Sequence, residues 1–185
     1  EDPIRILRAI RLSHKLNFQI EPELRKAIFE HAEDLVRTAP PRRREEWLKF
    51  FKLPNQDNVW IDLYDLNILK FVLPTFHSLF ENSEKRELFL SYVRRRSYIG
   101  FDLSNNIESF AIIIYSYLLT EHEHPSKINI REISEMLSFQ NFCKDELGVF
   151  KAEMHAIELS IQFINALKNK DGYLKKGERR RTAFI

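Results

Sequence analysis

Hydrophobic positions recur at three- and four-residue spacing along most of the chain, the pattern of amphipathic helices. Near the start, Ile6, Leu7 and Ile10 gather on one face, while Arg5, Arg8, Arg11 and Lys15 fall on another. Asp2-Pro3 suits a helix entry: an acidic cap, then a residue whose missing N–H costs nothing. A short extended piece, Asn17 to Ile20, leads to Pro22 and a second predicted helix reaching about Leu35. Ala39-Pro40-Pro41 breaks the chain before a third helix through Trp47, Phe50 and Phe51. Further on, the spacing predicts helices over 59–73 and 84–97. Asn105 with Glu108 reads as a capping box for a strongly apolar helix over 106–119, which is too short to span a membrane. Asn129 with Glu132 reads as a second box, and a long amphipathic helix is expected over 144–168. No stretch alternates with period two for long enough to make a strand. The expected fold is all-α.

Composition narrows the class. Of 185 residues, 44% are hydrophobic and 30% charged, which fits a globular chain rather than a disordered one. Four glycines (Gly100, Gly148, Gly172, Gly177) argue against Gly-rich nucleotide loops. The single Cys143 makes no disulfide framework and favours a reducing compartment. The chain opens without a basic and apolar leader, so a cytoplasmic location and no membrane partner are expected. Its first residue is not Met, which suggests a fragment or a processed chain. Net charge is only +2 but uneven: residues 1–50 carry eleven Lys/Arg against nine Asp/Glu, and 168–181 carry seven against two. Two basic ends around an acidic middle can hold a polyanion along one side, although any one such run is also an ordinary solvated surface.

The densest candidate chemistry lies in the first eleven residues. Asp2 and Arg5, three apart, sit on one side of a helix's first turn, an ionised acceptor beside a fixed fork of donors. Adenine offers an amino donor beside a ring-nitrogen acceptor, and cytosine offers the same pair. Asp2 can take the amino hydrogen while Arg5 gives to the ring nitrogen. Guanine and uracil reverse that polarity and would leave groups unpaired. Arg8 and Arg11, one and two turns on, suit a triphosphate or an RNA backbone. The plainer role for Asp2 and Arg5 is a helix cap and a surface ion pair.

The segment from Glu1 to Arg11 resembles the E-D-x-x-R motif and its R-x-x-R-A-x-R continuation in class II RNA nucleotidyltransferases, the bacterial poly(A) polymerases and CCA-adding enzymes. Leu16 to Glu23 looks like the linker to that family's second neck helix. Ala39 to Lys49, with Pro40-Pro41 and Glu45-Glu46, looks like the next neck helix in the poly(A) polymerase branch, and Asp65 to Pro74 resembles a short helix found in both branches. The resemblance is strong over 1–50, fair to about 80 and weak beyond. It implies a neck-like helical subdomain over 1–55 with a base-recognition motif, a helical body over 56–170 and a basic C-terminal segment over 171–185. It also implies nucleotide binding by Asp2, Arg5 and Arg8. RNA binding is expected from Arg11, Lys15, Arg42, Arg43, Lys175, Lys176, Arg179, Arg180 and Arg181.

Nucleotidyl transfer needs paired carboxylates holding metal ions around phosphorus. The family supplies them as D-x-D after a Gly-Ser or Gly-Gly pair, and this sequence contains none of these. The implied assignment is the nucleotide-selecting, RNA-binding part of a polymerase adding AMP to RNA 3′ ends. Mg²⁺ and ATP would act in the full-length enzyme, and this segment alone would bind no cofactor and hold no catalytic residue. The alternatives are the same region of an enzyme adding C and A to tRNA, or a non-catalytic helical adaptor for RNA or protein. Among weaker signals, His122-Glu123-His124-Pro125 has the wrong spacing for two metal ligands on one helix face. Arg94-Arg95-Arg96 reads as a solvated helix end or an RNA contact, and most of the fifteen Phe read as core.

Overall fold

The computed structural model describes residues 2–95, 104–122 and 128–168. It is all-α, and no strand occurs among the described residues. In chain order the α-helices are α1 (Ile4–Leu16), α2 (Pro22–Glu30), α3 (Pro40–Phe50), α4 (Gln56–Asp65), α5 (Ile68–Val72), α6 (Pro74–Glu81), α7 (Ser83–Arg95), α8 (Asn106–His122), α9 (Ile130–Glu135), α10 (Leu137–Asn141) and α11 (Lys151–Lys168). A 3₁₀ helix (Ala32–Arg37) follows α2, and a π-helical turn (Phe142–Glu146) follows α10. Among the described residues, no helix is long and apolar enough to cross a membrane.

Proline at the first position opens α2, α3 and α6, where it forfeits no hydrogen bond and brings a helical φ. The predicted second helix divides at His31, where α2 gives way to the 3₁₀ helix. The predicted helix over 59–73 is also two, because Asn67 takes a left-handed φ of 60° between α4 and α5. At about 100° per residue, Val59, Trp60, Leu63 and Leu66 share one arc, and Ile68, Leu69, Val72 and Leu73 lie on roughly the opposite one. With the turn at Asn67, all eight are buried. The next residues add α6, whose Phe76, Leu79 and Phe80 are buried.

At Asn105 the side-chain oxygen caps α8 by accepting from the Ile107 N–H at 2.9 Å. The second expected box does not form. Asn129 donates instead to the Glu132 carboxylate at 3.2 Å, and α9 runs for only six residues. The long helix predicted from 144 starts at Lys151, since Gly148 has φ +72° and turns the chain. The end of the helix predicted over 84–97, the segment 123–127 and the tail 169–185 lie outside the described residues.

Buried side chains from Ile4 to Ile164 form one cluster. Its aromatic centre is Trp60, with ring centroids of Phe76 at 4.7 Å, Phe89 at 5.1 Å and Phe80 at 6.2 Å. The apolar α8 lies between α7 and α11, buried on nearly every side.

Helix α3 carries charge into the interior, where Arg43, Arg44 and Glu46 each find a partner, while the Nε atoms of both arginines have none among the described residues. Glu46 is 1% exposed, and its carboxylate accepts from Arg11 Nε at 2.8 Å and Lys49 Nζ at 2.9 Å, with Arg8 Nε at 3.5 Å. Burial opposes its ionisation, but Lys49 and Arg11 outweigh that and hold the carboxyl below the usual glutamate range. Arg44 pairs with Glu153 of α11 and lies over the Phe150 ring at 4.3 Å.

Two stability predictions follow from this packing. A Cβ on Gly148 would sit 2.8 Å from the Arg44 Cβ and 3.0 Å from the Pro40 carbonyl oxygen. Gly148→Ala should therefore cost about 1–3 kcal/mol from the left-handed backbone alone, plus the clash. In a melting experiment that is a fall in Tm of about 3–10 °C, and an unchanged Tm would mean both that the turn accepts a left-handed alanine and that α3 yields. Glu46→Gln should cost about 1–3 kcal/mol at neutral pH, because Arg11 and Lys49 lose their shared anion. The folded-state pKa of Glu46 is lowered, so its contribution is complete above about pH 4.3 and disappears as pH falls through the folded value. The Tm gap between the two proteins should close on acidification, and a gap that persists in acid would assign the loss to packing.

Candidate functional site

Asp2 stands at the entry to α1 with both carboxylate oxygens engaged. One accepts from the Ile4 N–H at 3.3 Å, and the other from Arg42 Nη2 of α3 at 2.6 Å. That guanidinium is the main reason the Asp2 carboxyl lies below the ordinary aspartate range. Arg5 is exposed one turn on, and both residues line a cleft of about 490 Å³ between α1, α2 and the 3₁₀ helix. The cleft's apolar side is made by Ile6 and Ala9 from α1 and by Leu24 and Ile28 from α2. Asp34 and Arg37 line it too, 3.3 Å apart. Anionic, cationic and apolar surfaces therefore meet in one place of about the size that takes a small planar ligand.

The other cations named from sequence are spread out. Arg8 is half-exposed and within reach of Glu46, whereas Arg11 is nearly buried against that carboxylate. Lys15 is exposed on the same helix. Arg42, Arg43 and Arg44 diverge: Arg42 goes to Asp2, Arg43 to the Asp145 carbonyl at 2.9 Å, and Arg44 to Glu153. Arg43, also named for RNA, lies against the π-helical turn. It is 8% exposed, and burial lowers its pKa while Asp145 and Glu146 act the other way. It braces the π-helical turn through the Asp145 carbonyl. Arg94 lies 3.8 Å from both Asp57 and Glu87. Lys175, Lys176, Arg179, Arg180 and Arg181 lie outside the described residues. Among the described residues no group of three or more His, Cys, Asp or Glu side chains could hold a metal ion.

Two groups go unannounced in the sequence. Glu46 had a place in the Glu45-Glu46 pattern but no role, and it gathers the cations of α1. Asp62 of α4 accepts from His14 Nε2 at 2.8 Å and Arg25 Nη2 at 2.7 Å, which ties α1 and α2 to α4. Burial works against its charge, yet His14 and Arg25 keep its pKa below the ordinary value. Partners 48 and 37 residues away leave no local signal.

Residues 17–80 match the family described as a probable RNA and SrmB-binding site of polymerase A. The match begins after the Asp2–Arg11 segment. Poly(A) polymerase I of Salmonella typhi is 35% identical over 85 residues, 45% of this chain and 18% of that protein, and the Salmonella typhimurium enzyme matches to the same extent. The shared stretch is thus under a fifth of the length of these curated relatives. No solved structure matches. Over residues 17–80 the chain is thus similar to a probable RNA-binding site of polymerase A, and over 85 residues it resembles poly(A) polymerase I.

Proposed function

We propose that this chain is the RNA-holding and nucleotide-selecting part of a template-independent polymerase that adds AMP to RNA 3′ ends. The observation that carries the reading is the cleft lined by both Asp2 and Arg5. Its apolar side suits the face of a base, and its two charged groups suit the polarity of adenine's amino and ring-nitrogen edge. Each Asp2 oxygen keeps a second lone pair, so the carboxylate can accept from the base without releasing Arg42 or the Ile4 N–H. Arg8, half-exposed one turn on, is the cation for the triphosphate. The metal-bound chemistry belongs to paired carboxylates of another part of the protein, where Mg²⁺ and ATP act together. Cytosine has the same edge polarity, so CTP is the second nucleotide the cleft accommodates, and a tRNA 3′ end the second substrate. Homology to poly(A) polymerase I and the Pro40-Pro41 and Glu45-Glu46 pattern favour poly(A) addition.

Base selection is tested in the protein that joins this chain to its catalytic part. Asp2→Ala should lower kcat/KM for ATP by about ten- to a hundredfold, the worth of a hydrogen bond to a charged group. It should also relax discrimination against GTP and UTP, since the repelling carboxylate is gone. Loss of the helix entry alone would instead lower Tm by the equivalent of about 1 kcal/mol and leave nucleotide preference intact. Measuring kcat/KM for all four nucleotides alongside a melting curve separates the two.

RNA binding is tested on the 185-residue chain itself. Affinity for single-stranded RNA should fall steeply with salt, because Lys and Arg release counterions from phosphates. Deleting 175–185 should flatten the slope of log affinity against log salt, and an unchanged slope would remove the tail from the RNA path.

A further inference from the structure

At the far end of α1 the chain forms a second hollow, of about 310 Å³, to which Ser13, His14, Asn17, Phe18, Asn58 and Asp62 contribute. Helix α1 ends in a left-handed Asn17, φ 55°, and the N–H groups of both Asn17 and Phe18 bond the Ser13 carbonyl. After such an ending the second residue outside the helix usually packs back on the last turn. Here that turn offers Ser13 and the half-exposed Leu12, and Phe18 keeps 68% exposure, more than any other described phenylalanine. The ring costs free energy where it stands, and nothing in the fold requires it there.

Facing Phe18 are Asn55 and Asn58 at the start of α4, which also line the hollow. Among the described residues, nothing bonds the side-chain amides of Asn17, Asn55 or Asn58. Deeper in, Asp62 is a fixed anion, gripped by His14 and Arg25. A flat apolar ring, free amide donors and acceptors, and a carboxylate in one small hollow match the needs of an unpaired nucleobase, one face stacked and its edges hydrogen-bonded. A purely apolar partner would leave three amides unanswered. The hollow also shares a side of α1 with the Asp2 cleft, since Asp2, Ile6, Ala9 and Ser13 follow one another at helical spacing. The 13-residue helix spans about 20 Å, the rise of about six stacked nucleotides.

We propose that this hollow takes an unpaired base of the RNA strand upstream of its 3′ end, stacked on Phe18 and hydrogen-bonded by Asn55 and Asn58. The proposal rests on the RNA-binding reading above and names one place where the strand is held.

The test is a fluorescence-anisotropy titration of the 185-residue chain with labelled oligoadenylate over a salt series. Phe18→Ala should weaken binding by about five- to thirtyfold with the salt slope unchanged, because stacking releases no counterions. Phe18→Trp should restore the affinity, and Asn58→Ala should weaken it by about two- to tenfold. Phe18→Ala should keep the Tm, since the ring is exposed. Equal affinity for the wild-type and Phe18→Ala chains would overturn the proposal and leave Phe18 to a protein partner. A loss accompanied by a flatter salt slope would overturn it too, as a disturbance of phosphate contacts. No RNA binding by the unaltered chain would overturn the RNA reading and this proposal together.

Discussion

A buried charge has to be paired, and helix α3 brings three of them into the interior within about one turn. Arg43, Arg44 and Glu46 are all buried, and leaving any one unanswered costs several kcal/mol. The answers come from different parts of the chain: Arg11 and Lys49 for Glu46, the Asp145 carbonyl for Arg43, and Glu153 for Arg44. The position of α1, the π-helical turn and α11 is thereby fixed against one helix. Apolar packing alone would permit small slides between these elements. Directional contacts from three residues of one turn do not.

Successive helical residues point about 100° apart, which is why three adjacent arginines reach three partners. The same geometry limits what a basic run in a sequence means. Arg42-Arg43-Arg44 has the composition of a phosphate-binding patch, yet one arginine meets Asp2, and the other two brace the core. A run on a helix distributes its charge around the axis, and only those members that the packing leaves outside remain for a polyanion. The exposed cations on α1, Arg5, Arg8 and Lys15, are spaced by three and seven residues and keep largely to one side.

Much of the fold was legible because helical periodicity and proline at helix starts are local signals. The breaks were harder. Asn67 and Gly148 both turn left-handed inside stretches that read as continuous helix, although the swing of apolar positions across Asn67 and the glycine at 148 were visible. Helix α6 carried a signal as well, in Pro74 followed by Phe76, Leu79 and Phe80. For the site, the Asp2-x-x-Arg5 spacing pointed to the residues that share a cleft. The anchors of that cleft were not legible, because Arg42, Glu46 and Asp62 act across 35 to 48 residues of sequence. Phe18 read as part of an extended linker, and only the end of α1 shows how far it stands outside.

Arg42 bears on how the Asp2–Arg5 pair can discriminate on the proposed reading. A carboxylate that moves freely can turn away from a mismatched base, and a carboxyl that takes up a proton can donate to guanine's carbonyl. Either event would blur the distinction between adenine and guanine. Two hydrogen bonds fix the Asp2 group in place, one from the backbone of its own helix and one from α3. The guanidinium also keeps it ionised further into acid than a solitary aspartate. The base then meets an acceptor that is already oriented and charged, so little reorganisation is needed for the right nucleotide and no relief is available for the wrong one. On the proposed reading, selection without a template depends on that orientation, which α1 and α3 supply together.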